Sequence, residues 1–119
     1  MKRIIMSVIV MLSMTTAFAE NENTDVVNNM QVYDMHVNMD KLGETLELSW
    51  DQFELVTDVH NVFCADMLNV AMAEESERAG MMDKAVRRDL AYMRTILTRS
   101  QYRKYLLILN TTFKNRGLK

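Results

Sequence analysis

Apolar residues along the first half of this chain recur at helical spacing. Met35, Met39, Leu42 and Leu46 follow one another at steps of four, three and four residues, so they share one face of a helix over about residues 34–47. A second helix, extending to about residue 72, has a longer apolar stripe. That stripe consists of Phe53, Val56, His60, Phe63, Met67 and Val70.

The second half of the chain predicts two further helices. The polar segment 74–80 (EESERAG) is typical of a turn, so the third helix is expected from about Met82. The fourth helix is expected to follow Thr98 and to stop at Gly117, which favours a left-handed Schellman-type ending with Leu118 against Phe113. The predicted inward positions are Val86, Leu90, Met93 and Leu97, then Tyr102, Leu106, Leu109 and Phe113.

One local motif occurs twice, as LSWDQ at residues 48–52 and as LTRSQ at residues 97–101. In each copy the Ser or Thr oxygen can accept from the Gln backbone N–H while the Gln side chain reaches back, which is a capping box. The preceding Leu can pack on the aromatic residue that follows the box, at Phe53 and at Tyr102. The motif residues are Leu48, Ser49 and Gln52 in the first copy and Leu97, Thr98 and Gln101 in the second.

The repeated box indicates how the four helices are organised. Two boxes of one design indicate two helix–turn–helix halves. Short connections favour antiparallel neighbours, so the predicted fold class is all-α: four helices in an antiparallel bundle or an elongated hairpin pair. The chain has no proline and only three glycines, which argues against an all-β fold with its many turns.

The N-terminal segment predicts export. Lys2 and Arg3 precede a nearly apolar run over residues 4–14, and Ala17 and Ala19 supply the small residues of a cleavage site. The run is too short to span a bilayer, which needs about 20 residues. We therefore expect a signal peptide at residues 1–19, a flexible acidic segment at 20–33 and a helical domain at 34–119. The expected location is periplasmic or secreted, with no stable membrane anchor after cleavage.

Charge is divided between the two halves of the chain. Residues 20–77 contain 14 acidic residues and one basic residue, Lys41, whereas residues 78–119 contain 11 basic residues and two acidic ones. One interpretation is that acidic and basic helices lie side by side and their fields cancel locally. The other is a basic surface for an acidic partner. An exported, net acidic chain without a recognised motif disfavours nucleic acid as that partner.

The inventory of reactive residues is small. Cys64 has no partner cysteine in the chain, which favours a buried apolar role and leaves pairing between two chains open. His60 follows the apolar stripe, where a core role is expected. Because no catalytic or phosphate-binding motif occurs, we expect neither enzyme activity nor a cofactor. Met35 and Met39 near His36 leave a Cu(I) site as an alternative to their role in the core.

The candidate binding surface combines methionine with basic residues. Methionine is flexible and recurs on adaptable binding surfaces, and two methionines are expected at the turn before the third helix. Several basic residues follow them on that helix. The candidate residues are Met81, Met82, Arg87, Arg88 and Arg94.

With its two L-[ST]-x-x-Q boxes, helical layout and export signal, the chain resembles the LTxxQ-motif family of exported bacterial proteins, typified by the periplasmic stress proteins Spy and CpxP. The resemblance implies four helices, a curved hairpin-based dimer, no enzyme activity, and an ATP-independent chaperone or envelope-stress adaptor. The expected partners are unfolded or envelope proteins, and a homodimer is left open. The alternatives are an envelope interaction or structural protein with one dedicated partner and a metal-binding stress protein, since relatives include metal-resistance proteins.

Overall fold

The computed structural model describes residues 29–118, and this part of the chain is all-α, as predicted. A single helical turn at 29–32 precedes four helices, with no strand among these residues. The helices are α1 (Met39–Leu46), α2 (Trp50–Met72), α3 (Glu75–Ile96) and α4 (Arg99–Asn115). The predicted signal peptide and most of the acidic segment 20–33 lie outside the described residues. Within 29–118, no helix combines the length and apolar character that crossing a membrane requires.

The two long helices α2 and α3 form an antiparallel hairpin. Only Ala73 and Glu74 connect them, and the start of α2 lies beside the end of α3. The shorter helix α4 packs against both α1 and α3. The described chain measures 45 × 28 × 20 Å along its principal axes. The core therefore lies between the α2–α3 hairpin on one side and α1 with α4 on the other.

Both capping boxes are present as predicted. The Gln52 backbone N–H donates to Ser49 Oγ at 3.2 Å, and the Ser49 N–H donates to Gln52 Oε1 at 2.9 Å. The second copy repeats these distances with Thr98 and Gln101. These boxes set the starts of α2 and α4 at the predicted residues.

The end of α4 also follows the prediction. Gly117 has a φ of 76°, and the Leu118 N–H donates to the Phe113 carbonyl at 2.8 Å, which is the Schellman arrangement. The end of α1 uses the same geometry without a glycine. Glu47 takes a φ of 55°, and the Leu48 N–H donates to the Gly43 carbonyl at 2.9 Å.

The predicted start of the first helix at residue 34 was wrong. Asp34 Oδ1 accepts the His36 backbone N–H at 3.0 Å and holds this segment in a local turn. Asn38 then caps α1 by accepting from the Lys41 N–H. Met35 is nevertheless buried, with 2% of its surface exposed, so its place in the apolar pattern reflects the core and not a helix.

The predicted turn at 74–80 was also wrong, because α3 already begins at Glu75. Glu75 and Glu77 lie in its first turn, where the helix dipole favours negative charge. Gly80 lies inside the helix and is exposed, at a cost of only about 1 kcal/mol relative to alanine. Met81 and Met82 therefore belong to a helix rather than to a turn.

The buried lines of α3 and α4 are shifted from the predicted ones. On α3 the buried residues are Ala85, Asp89 and Met93, whereas Val86 and Leu90 are half-buried at the edge of the core. On α4 the buried residues are Tyr105, Leu109 and Phe113. α3 packs against α2 on one side and against α4 on the other. The residues of α3 that lie between these two helices are therefore the most deeply buried, and they are not the residues at the centre of its apolar stripe.

Candidate functional site: a glutamine junction and an interhelical groove

The side-chain amides of the two capping boxes bind each other. Gln52 Nε2 donates to Gln101 Oε1 at 2.8 Å, and Gln101 Nε2 donates to Gln52 Oε1 at 3.1 Å. Each Oε1 also accepts the N–H at the start of its own helix, from Ser49 or from Thr98. We call this amide pair, Gln52 with Gln101, the glutamine junction.

The junction also caps the two helices that end nearby. Gln52 Nε2 donates to the carbonyl of Ile96, the last residue of α3, at 3.1 Å. Gln101 Nε2 donates to the carbonyl of Leu46, the last residue of α1, at 3.1 Å and to that of Glu47 at 3.2 Å. Two side chains thus connect one end of each of the four helices. The sequence predicted each box, but not that the boxes bind each other.

A second feature is a groove between α2 and α3, with a volume of about 320 Å³. Its walls carry the exposed apolar side chains of Val62 and Tyr92, which are 40% and 55% exposed. Leu55, also exposed, lies on the same face of α2, seven residues before Val62. The groove is lined by Asp58, Val59, Val62, Phe63, Asp66, Ala85, Arg88, Asp89 and Tyr92.

The floor of the groove contains a buried carboxyl group. Asp89 is 2% exposed, and the Tyr105 hydroxyl of α4 donates to its Oδ2. Its Oδ1 is buried and has no hydrogen-bond partner among the described residues. Burial raises the pKa of Asp89 to about 7, the Tyr105 hydrogen bond opposes this rise, and the charge of Asp66 adds to it. The sequence pattern gave no prediction of a buried role for Asp89.

The predicted surface residues divide between different faces of α3. Arg88 lines the groove and binds Asp66 of α2 at 2.6 Å, and Met81 lines an adjoining pocket together with Arg88. Met82 is half-buried against the core. Arg87 and Arg94 lie seven residues apart on one face, about 100° around the helix from Arg88. The structure therefore brings Met81 and Arg88 together but not the other three.

The contact between Arg88 and Asp66 supports one of the two interpretations of the acidic first half and the basic second half of the chain. It joins a basic residue of α3 to an acidic residue of α2, as expected if the two halves compensate each other locally. A second ion pair, Arg87 with Asp83, lies within α3 at 2.9 Å. Arg94, Lys84 and Arg87 remain exposed, so part of the basic charge still faces solvent.

Cys64 and His60 lie in the core, as the sequence indicated. Cys64 Sγ is 3.3 Å from His60 Nε2, and both residues are buried. Burial raises the pKa of Cys64 to about 12 and lowers the pKa of His60 to about 4. At neutral pH the pair is therefore a protonated thiol beside a neutral imidazole, which is not an activated nucleophile.

Each residue considered for copper has another contact in the structure. The Met35 side chain is buried in the core, and Met39 packs against the core from the side. His36 Nδ1 lies 2.6 Å from Asp34 Oδ1 instead. Within residues 29–118, His, Cys, Asp and Glu form no group of three or more suited to a metal ion.

Comparison with known proteins adds no relative from which a function could be transferred. No family model, no curated protein and no solved structure matches this chain. The resemblance to the LTxxQ-motif family therefore rests on the residues of the two boxes, the helical layout and the predicted export signal.

Proposed function

We propose that this protein is an exported, non-catalytic binding protein of chaperone-like or envelope-stress adaptor type, and that it holds apolar segments of other proteins in the α2–α3 groove. The observation that supports this proposal is the groove itself. Val62 and Tyr92 present apolar surface to solvent on both of its walls, one on each long helix. Exposed apolar surface that lines a concave site is typical of binding sites.

The groove has firm walls, which favours binding of a segment without large rearrangement. The α2–α3 pair is the most extensive helix contact in the described chain, and Arg88 and Asp66 bridge it at 2.6 Å. The glutamine junction fixes the open end of the same hairpin. A preformed site loses less conformational entropy on binding than a flexible one.

Exposed apolar side chains also lie at the two ends of α2, outside the groove. Trp50 at the start of α2 and Met72 at its end are both mostly exposed. Trp50 stacks on Phe53, with ring centroids 6.5 Å apart. Neither Trp50 nor Met72 lines the groove, and Trp50 lines a separate pocket beside α1.

The proposal is tested by measuring whether the protein slows the aggregation of an unrelated denatured protein, without ATP and at near-stoichiometric amounts. We expect protection by the wild type and its loss in Val62→Glu, because a charge then faces the apolar wall. Leu107→Glu is the matched control, since Leu107 is 67% exposed on α4 and does not line the groove. Equal protection by Val62→Glu and wild type would rule out the groove as the site.

The alternative of a dedicated partner predicts a different result. In that case the wild type gives no protection in the aggregation assay, but one dominant envelope protein is crosslinked to it in intact cells. Val62→Glu would then remove that crosslink and Leu107→Glu would keep it. General protection of unrelated proteins would instead rule out a single dedicated partner.

A further inference from the structure

The Asp89 carboxyl at the floor of the groove has one oxygen without a hydrogen-bond partner among the described residues. Its Oδ2 accepts from Tyr105, while its Oδ1, equally buried, has no partner among the described residues. Buried polar atoms in folded proteins nearly always have a hydrogen-bond partner. Asp89 lines the cavity. A donor from a bound molecule that displaces the side chains covering Oδ1 would supply the missing hydrogen bond.

The charges around Asp89 select the kind of donor. From α2 the acidic side chains of Asp58 and Asp66 line the groove, and from α3 Arg88 and Tyr92 line it. Tyr105 approaches from α4. Arg88 is bound to Asp66, which leaves Asp58 and Asp89 without a described cationic partner. A cation is therefore favoured in the groove and an anion is disfavoured.

The shape of the site narrows the choice further. A cation that reaches the floor meets the apolar side chains that line the groove, among them Val59, Val62 and Tyr92. A lysine side chain suits this arrangement, because its aliphatic stem packs on apolar surface while the ammonium extends beyond it. A guanidinium is wider and planar, and it is best recognised by two parallel hydrogen bonds, whereas Asp89 has only one free oxygen.

We propose that the floor of the groove is a subsite for the side chain of a lysine in the bound segment, whose ammonium donates to the unpartnered oxygen of Asp89. This inference rests on the proposed function, because the lysine belongs to a protein segment held in the groove. It adds that the groove selects segments which combine apolar residues with a lysine.

The subsite makes binding depend on pH. A carboxyl that is half protonated near neutral pH must ionise to accept the ammonium fully, so lysine binding releases a proton. With a pKa of about 7 for Asp89, the ionised fraction rises about tenfold between pH 6 and pH 8. The affinity for a lysine-containing segment should rise by about the same factor. The lysine itself stays protonated across this range.

The experiment measures binding of a fluorescent apolar peptide with one central lysine to the full chain at pH 6 and pH 8. Matched peptides replace the lysine by norleucine, N-acetyl-lysine or glutamate. We expect the lysine peptide to bind at least tenfold more tightly than the others at pH 8, and to lose about tenfold at pH 6. The norleucine peptide should bind with little pH dependence.

Two variants distinguish the contribution of Asp89, at the floor of the groove, from that of Asp58, at its rim. Asp89→Asn keeps the size of the side chain and an oxygen that can accept from Tyr105, and circular dichroism checks that it folds. It should abolish both the lysine preference and the pH dependence. Asp58→Asn removes an exposed acid at the rim and should keep the pH dependence, because rim charge only adds attraction that salt can screen.

The outcomes distinguish this inference from the proposed function. If the lysine and norleucine peptides bind equally at pH 8, the subsite is wrong while the groove as a binding site stands. If neither peptide binds, the proposed function fails and the lysine subsite fails with it. If n-pentylamine binds in an Asp89-dependent manner in an NMR titration and the lysine peptide does not, the site takes a free amine, and the assignment to lysine is overturned.

Discussion

The glutamine junction and the floor of the groove both contain polar side chains that contact other helices, but they differ in how these groups are satisfied. In the junction, both oxygens and both amide nitrogens of Gln52 and Gln101 have partners at 2.8–3.2 Å. At the floor, Asp89 is more deeply buried than either glutamine and keeps one oxygen without a partner. A satisfied network specifies a structure, whereas an unsatisfied buried group costs stability.

This difference indicates different roles for the two regions. The junction fixes how four helix ends meet, so its function is to position the hairpin. The buried carboxyl weakens the fold at neutral pH, because burial raises its pKa and disfavours the charged form. A carboxyl whose pKa is shifted by burial and which lines a cavity is more typical of a functional site than of a structural one.

The largest expected effect is on the junction. Gln101→Ala removes the acceptor of the box and the donors to Gln52 and Leu46, and it should lower the free energy of unfolding by about 2 to 3 kcal/mol. Gln101→Glu is the informative partner variant. It keeps an oxygen that can cap Thr98 but loses the two N–H donors, so it should also destabilise, by about 2 kcal/mol. Urea denaturation measures both.

The result for Gln101→Glu decides what the junction contributes. A local capping box tolerates Glu as well as Gln at this position. Wild-type stability in Gln101→Glu would therefore show that only the local box matters and that the contact with Gln52 is incidental. A double-mutant cycle between Gln52 and Gln101 should give a coupling free energy of about 1 kcal/mol or more.

The sequence predicted those structural features, such as helix caps, that depend only on residues close together in the chain. A capping box spans four residues, and the Schellman ending at Gly117 spans six, so both can be read locally, and both are confirmed. The contact between Gln52 and Gln101 joins residues 49 positions apart. It depends on how the two halves pack, which a local motif does not encode. Two boxes of identical design were its only signal.

The burial of Asp89 could not be predicted from the sequence for a similar reason. It follows two arginines and precedes Leu90, which gives it the appearance of a solvent-facing acid. Its burial follows from the packing of α3 against α2 and α4. A signal was present, since Asp89 lies four residues from both Ala85 and Met93, on one line along the helix. Segment 74–80 shows the reverse error, because its polar composition predicts a turn although its acidic residues suit the first turn of a helix.

A smaller effect is expected at Asp89, where the raised pKa predicts how stability changes with pH. The pKa of Asp89 is about 7 in the folded state and about 4 in the unfolded chain, so between these values only the folded state keeps the proton. Its contribution to stability therefore falls as pH rises through this window. The stability of Asp89→Asn relative to wild type should increase by about 1 kcal/mol from pH 6 to pH 8.

Wild-type stability has to be compared with that of Asp89→Asn, because His60 changes stability with pH in the opposite direction. The pKa of His60 is lowered to about 4, so its contribution to stability is lost as pH falls from about 6.5 toward 4. This contribution is common to both chains and cancels in their difference. Urea denaturation of both chains at pH 6, 7 and 8 measures the effect, and a constant difference would contradict the raised pKa.

The smallest effect is expected at the hydroxyl of the first box, where Ser49 stands in the place that Thr98 occupies in the second. Ser49→Thr keeps the oxygen that accepts from Gln52 and adds a methyl group at an exposed position. Ser and Thr differ little as N-caps, so the free energy of unfolding should change by less than about 0.5 kcal/mol. The glutamines, not the hydroxyls, connect the two halves. A loss above 1 kcal/mol in thermal or urea denaturation would mean that the junction needs a particular hydroxyl side chain as well as its amide pair.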